Sequence, residues 1–158
     1  MADEIVVVGS MNMDLVIETD KSPKKGETLI GNDFHQIPGG KGANQALAAG
    51  KLGANVTFIG ACGKDNYGEQ LLNNLKSEGI NTQNVHRVKE NTGIASITVE
   101  KNGDNRIIVI PGANHSLKPE LIAEHKKIIK NANTIVLDII FIYIISYNSI
   151  RRGIKVKI

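Results

Sequence analysis

Residues Gly39 to Asn44 read Gly-Gly-Lys-Gly-Ala-Asn, and an alanine-rich stretch follows at once. Glycine fills three of the four positions from Gly39 to Gly42, so the backbone can bend in ways closed to other residues and can lie close to a ligand. A helix opening inside such a turn points free N–H groups, and the positive end of its dipole, at whatever sits above it. Lys41 adds a cation, and Asn44 adds an amide that both donates and accepts. The turn suits a polyhydroxylated or anionic small molecule: Gly40, Gly42 and Ala43 would bring backbone near it, and Lys41 and Asn44 would touch its hydroxyls. A second polar group, Asn12-Met13-Asp14, follows the short apolar run Ile5 to Val8 and Gly9. A carboxylate accepts hydrogen bonds from two hydroxyls at once. If the apolar run is a strand of an open α/β sheet, Asp14 lies near its carboxyl edge, where such folds bind ligands. Taken singly, a packing turn and a surface carboxylate would explain the same residues.

Other chemistries find less support. The phosphate-binding pattern of four residues between Gly and Gly-Lys-Ser/Thr fails, because Gly40-Lys41 is followed by Gly42 and the position five before Gly40 is His35. The dinucleotide pattern Gly-x-Gly-x-x-Gly fails at Gln45. His35, His86, His115 and His125 have no metal-ligand spacing and read as mostly surface residues. Asp65 and Glu69 share a helical face, as a cap and a solvated pair would. Cys62, the only cysteine, excludes an internal disulfide and reads as a small core residue.

The elements that must position these groups follow from periodicity. Glu4 to Gly9 is a buried strand; Leu15 to Thr19 and Glu27 to Gln36 are half-polar strands with Pro23 and Gly26 between them. Gly42 to Leu52 is a helix whose alanines allow close packing on a sheet, and Asn55 to Cys62 is the next strand. Asp65 to Glu78 is a helix capped by Asp65 or Asn66 and stopped by Gly79, with Leu71, Leu72 and Leu75 as its apolar stripe. Asn102-Gly103 between Ile94–Glu100 and Arg106–Ile110 predicts a hairpin. A helix over Lys118 to Ala132, opened by Ser116 and Pro119, leads into a strand from Thr134 to Leu137. Strands alternating with helices imply an α/β fold, a mainly parallel sheet with helices on its faces. The half-polar strands at 15–36 and 94–110 do not belong in that sheet.

Several separated motifs in order carry a resemblance. Gly9-Ser10-Met11-Asn12-Met13-Asp14, then Gly40-Lys41-Gly42-Ala43-Asn44-Gln45-Ala46 with Gly53, Gly63-Lys64-Asp65 with Gly68, Thr92-Gly93 and Pro111-Gly112-Ala113-Asn114 resemble the N-terminal part of the ribokinase family of carbohydrate kinases, over about residues 4–137. The resemblance implies a ribokinase-like fold with a Rossmann-like sheet, and a small β-lid formed by strands 15–36 and 94–110 that covers the sugar and pairs with its copy in a homodimer. It implies ATP-dependent phosphorylation of D-ribose, or a related sugar or nucleoside, with Mg2+ and a monovalent cation. It makes Asn12, Met13, Asp14, Gly40, Lys41, Gly42, Ala43 and Asn44 the sugar-binding residues. The family's catalytic aspartate lies in a Gly-Ala-Gly-Asp run, and no such run occurs in these 158 residues. The chain is therefore expected to lack the ATP-binding half, to bind no nucleotide or metal well and to be inactive alone; a non-catalytic sugar-binding or dimerising fragment is the alternative.

Composition bounds the rest. A formal net charge of +3, with 16 acidic among 19 basic residues, gives no case for nucleic acid. The acidic N-terminus and the short run at Ile5 to Val8 read as a cytoplasmic chain without a leader. Residues 139–158 stand apart as an aberrant tail: eight of the twenty are isoleucine, and none is Ala, Leu, Asp or Glu. AT-rich DNA read out of frame would give such a composition, so a frameshift after about residue 138 is the hypothesis; the downstream DNA read in all frames tests it. The apolar segment Ile135 to Ile145 contains Asp138 and is far shorter than the roughly 20 apolar residues of a spanning helix. Its β-branched, uncharged character predicts poor solubility instead.

Overall fold

The computed structural model describes residues 4–138 of the chain. The expectations for the tail at 139–158 lie outside the described residues. Strand β1 (Glu4–Val8) lies at the centre of a parallel four-stranded sheet of order β5-β4-β1-β8, with β4 (Asn55–Gly63), β5 (Asn81–Val88) and β8 (Thr134–Leu137). Its Val6, Val7 and Val8 have no solvent exposure, as expected of an apolar run covered on both faces. Helices α1 (Lys41–Lys51) and α2 (Asn66–Ser77) cover one face around Val7, Val56, Phe58, Leu71 and Leu75. Leu117, α3 (Pro119–Glu124) and α4 (Lys126–Asn131) cover the other around Val6, Val8 and Ile59.

The remaining strands form a second sheet, mixed in direction, of order β3-β2-β6-β7, from β2 (Asn12–Thr19), β3 (Asp33–Gly39), β6 (Gly93–Glu100) and β7 (Asn105–Ile110). The β6–β7 hairpin turns through Gly103 with φ 90°, as its Asn-Gly signal predicts. Register puts Asn12, Asp14 and Val16 on one face and Met13, Leu15 and Ile17 on the other. Met13, Leu15 and Ile94 join the core beneath α1 and α2, which ties the second sheet to the first.

Four elements differ from the sequence-based reading. The strand expected over Glu27 to Gln36 begins only at Asp33 and runs through Pro38 to Gly39. It is an edge strand, where proline removes no ladder bond that the sheet needs. Residues before it are tied locally instead: Glu27 accepts from Lys21 Nζ and from the Lys24 N–H, each at 2.8 Å. Strand β5 was not expected, because Asn81 to Asn84 carry no apolar alternation; as the outer strand it exposes Asn81 and Gln83. The expected helix over Lys118 to Ala132 breaks into α3 and α4 at His125 (φ −93°, ψ 13°), and its cap position is Lys118, with Pro119 at the first turn, rather than Ser116. Strand β2 starts at Asn12, so the Asn12–Asp14 group lies within a strand rather than on a turn.

The break in the last helix has a partner. His125 Nε2 lies 2.8 Å from His86 Nε2 of β5, with ring centroids 5.0 Å apart. These two histidines are half-buried against each other, whereas His35 and His115 are exposed. Burial, and next the His86 ring, hold the His125 pKa below the usual 6.5, with Glu124 opposing. A lowered folded pKa means that the unfolded chain binds the proton more tightly. Stability is therefore full above the ordinary histidine value and falls as pH drops from there through the lowered folded one. Chemical denaturation at a series of pH values should show this slope, and His125→Gln should flatten it; an unchanged slope in the variant would refute the assignment.

Candidate functional site

The corner between β1 and β2 and the turn between β3 and α1 are stitched together by backbone. Gly40 takes φ 98°, and a Cβ there would lie 2.6 Å from Met11 Cα and 2.9 Å from Asn12 N. A Cβ on Gly42 would lie 2.6 Å from Gly9 Cα, and one on Gly9 would lie 2.6 Å from Gly42 Cα. The Ala43 N–H donates to the Ser10 carbonyl at 3.0 Å. Two of the glycines thus owe their lack of a side chain to the neighbouring chain segment, Gly9 to Asn12. Ala43 is buried against the same segment, and Met13 is fully buried in the core, so neither side chain is open to a ligand.

The polar side chains come together around this seam. Asn12 pairs across the sheet with Gly39 and Asp14 with Ile37, on the same face. The Asp14 carboxylate lies over Gly39, where a Cβ would come within 2.7 Å of Asp14 Cγ. The side chain of Asp14 is half-buried, and no group among the described residues donates a hydrogen bond to it. Burial pushes its pKa up from the ordinary carboxylate value. Lys41 and Asn44 are exposed on the first turn of α1, three residues apart and so on one face. Lys41 sits at the positive end of the helix dipole, which disfavours its charge unless an anion or acceptor is near. The six-residue segment Gly39–Asn44 therefore places one cation and one amide beside the Asn12–Asp14 face.

Two residues hold this arrangement that the sequence alone assigned no role. Asn114 is buried; its Oδ1 accepts the Met11 N–H at 3.0 Å, and its Nδ2 reaches Asn12 Oδ1 at 2.8 Å. Its place in Pro111-Gly112-Ala113-Asn114 was the available signal. Asp138, 1% exposed at the end of β8, accepts from the Ser10 hydroxyl and, at 3.3 Å, from the Ser10 N–H. An acid closing the apolar run Thr134–Leu137 could have pointed to it.

The motif around Asp65 is architectural. Asp65 caps α2 by accepting from the Gly68 N–H at 2.8 Å, and also accepts from the Thr92 N–H (2.7 Å) and hydroxyl (2.6 Å). Partial burial opposes its charge, but the bonds from Thr92 and Gly68, helped by Arg87, outweigh it and lower the pKa. Glu69 is exposed, as a solvated residue would be, and pairs with Arg87 at 2.8 Å. Cys62 is buried as expected, and desolvation first of all raises its pKa to about 11. Asp65→Ala should cost about 2 kcal/mol or more, a lost cap plus two orphaned Thr92 donors. Urea denaturation measures it; a loss under about 0.5 kcal/mol would show the network to be dispensable.

The chain is thus an α/β unit with helices on both faces of a parallel sheet, a second sheet beside it and a set of polar side chains at their junction. The family model for pfkB family carbohydrate kinases matches residues 2–146, and the chain belongs to that family. It is 47% identical over 135 residues to a ribokinase of Lactococcus lactis, covering 85% of this chain and 45% of that protein. It is 40% identical over 153 residues to a deoxyribokinase of Salmonella typhimurium, covering 96% of this chain and 50% of that protein. The solved structure of Arabidopsis thaliana ribokinase complexed with ribose and ATP superposes with a TM-score of 0.77 at 36% identity, covering 87% of this chain and 45% of that one. The fold is therefore ribokinase-like, and the chain spans about half the length of the curated relatives it matches. Among the described residues, no helix is long and apolar enough to cross a membrane.

Proposed function

We propose that the chain supplies the sugar-binding part of an ATP-dependent carbohydrate kinase whose acceptor is D-ribose. The observation that carries this is the half-buried Asp14 carboxylate, lying over Gly39 beside Asn12 and the start of α1. A carboxylate in that position accepts from two adjacent hydroxyls, as a pentose presents them, and Asn12, Lys41 and Asn44 complete the polar rim. The likeness to the Lactococcus ribokinase and to the Arabidopsis ribokinase complexed with ribose supports ribose as the acceptor. The deoxyribokinase match makes 2-deoxy-D-ribose the necessary comparison. Calorimetric titration of both pentoses into the 158-residue polypeptide tests the reading. Saturable binding of ribose is expected, and none up to tens of millimolar would refute it.

Among the described residues, no cluster of three or more His, Cys, Asp or Glu could hold a metal ion. No step through magnesium or ATP is assigned to these residues. With no Gly-Ala-Gly-Asp run to provide a base for the acceptor hydroxyl, the polypeptide alone is proposed to bind sugar without phosphorylating it. Ribose 5-phosphate formed from ribose and ATP by the purified polypeptide would overturn that.

The second sheet is the proposed lid and the proposed dimer contact. The face that carries Asp14 also carries Ile37, Ile107 and Val109, between 48% and 53% exposed, with Val16 and Ile97 between them. An apolar sheet face of this kind fits a second copy of itself. Sedimentation should give a dimer that Ile107→Glu converts to monomer; a monomeric parent chain at tens of micromolar would exclude it.

A further inference from the structure

We propose that Asn114 is a positioning residue that fixes which end of the Asn12 amide faces the sugar. The inference rests on the sugar-binding reading of Asn12. Amide oxygen and nitrogen are normally interchangeable in shape, so the hydrogen-bond network must decide their placement. Here the backbone decides. Asn114 Oδ1 faces the Met11 N–H, an obligate donor, at 3.0 Å. Its Nδ2 faces the Met11 carbonyl at 3.1 Å and the Pro111 carbonyl at 2.9 Å, both obligate acceptors. Flipping Asn114 would set oxygen against oxygen twice and nitrogen against N–H once. With Nδ2 thus held, the group it meets at 2.8 Å on Asn12 must be the oxygen. The Asn12 oxygen is turned to Asn114, and its Nδ2 is the end left to a ligand.

Gly93 shows how closely this pair is fitted. A Cβ there would overlap both Asn12 Oδ1 and Asn114 Nδ2 and lie 2.7 Å from the Pro111 carbonyl. Asn12 and Gly93 are also register partners between β2 and β6. The amide pair therefore lies directly across a glycine, with no room for a side chain. The consequence for recognition is a division of labour: Asn12 offers N–H donors to sugar oxygens, and Asp14, two residues along on the same face, accepts from sugar hydroxyls.

Two variants test the orientation from opposite sides, with ribose as the probe in calorimetric titrations and thermal melting as the stability readout. Asn12→Asp keeps an oxygen toward Asn114 and replaces the outward donor with an acceptor. It should melt within a few degrees of the parent chain yet bind ribose at least about tenfold more weakly, the equivalent of one lost hydrogen bond. If Asn12 instead turned its oxygen to the sugar, the same change would keep binding and lower the melting temperature, and the inference would fail. Asn114→Asp keeps the acceptor for the Met11 N–H but sets oxygens against two carbonyls and Asn12 Oδ1. It should weaken ribose binding by about tenfold in the parent and change it by less than about twofold in an Asn12→Ala background. Equal weakening in both backgrounds would make Asn114 merely structural and overturn the proposal. Should Asn114→Asp not fold, the Asn12→Asp result decides alone. If the parent chain binds no ribose, the sugar reading itself fails; if it binds and Asn12→Ala is silent, the error lies in assigning Asn12 to the sugar.

Discussion

Asp14→Ala should abolish measurable ribose binding by this chain while leaving it folded. Hydrogen bonds to a charged group contribute about 1.5–3 kcal/mol each, so two lost bonds correspond to at least a hundredfold weaker binding, roughly. The site adds a second signature that a merely structural carboxylate would lack. Burial raises the folded pKa of Asp14. The folded chain then binds the proton more tightly than the unfolded one, so the ligand-free protein loses stability as pH climbs through that raised value. Sugar binding needs the ionised form and runs the opposite way, weakening as pH falls through the same value. Asp14→Asn should therefore stabilise the ligand-free chain at neutral pH and weaken ribose binding together, the trade-off expected where a site is held ready at the expense of the fold. Thermal melting with and without ribose reads both at once. A variant that melts lower and binds normally would remove Asp14 from the site.

The second large effect is expected at Gly42→Ala. Helix propensity alone favours alanine over glycine by about 1 kcal/mol. Sterics oppose it: the new methyl would meet Gly9 Cα at 2.6 Å and Ser10 N at 2.8 Å, all backbone that no rotamer change can relieve. Overpacking of this kind costs about 1–3 kcal/mol or more, so the net change should be a clear loss of stability, with loss of sugar binding because the two polar corners are pushed apart. Gly50, near the other end of the same helix, supplies the control. A Cβ there meets only ordinary contacts, 3.4 Å to Glu78 O and 3.5 Å to Ile80 Cδ1, so Gly50→Ala should be neutral or stabilising by up to about 1 kcal/mol. If both alanines act alike, propensity rather than packing governs the turn.

What could be read from the chain depended on whether a residue's neighbours in sequence are also its neighbours in space. The Asn102-Gly103 hairpin, the Asp65 cap and the leucine stripe of α2 are local devices, and they appear where their motifs place them. The parallel sheet followed from alternation of strands and helices. Strand β5 carries little sequence signal because an outer strand needs little apolar pattern: its Asn81 and Gln83 face solvent while pairing with β4 supplies the ladder. The break at His125 coincides with a contact to a ring 39 positions away, which no local pattern reveals. In the candidate site, the meeting of the two polar corners follows from the motifs, whereas the close approach of Gly40 and Gly42 to Met11 and Gly9 is a long-range contact that the sequence does not show. Asn114, more than 100 positions from the residues it orients, was visible only as part of a motif.

The order of strands across the parallel sheet has a consequence for synthesis. Strand β1 takes its partners from the later strands β4 and β8, whose pairing residues are 55–59 and 134–137. Both hydrogen-bonding edges of Val6, Val7 and Val8 thus stay open while the intervening chain is translated, and the second edge closes only when residue 137 has emerged. Such delayed closure lengthens the window in which a nascent chain can stick to its neighbours. A trigger-factor-like holdase, or slower translation after β4, should raise the yield of native protein more than any substitution on the finished surface.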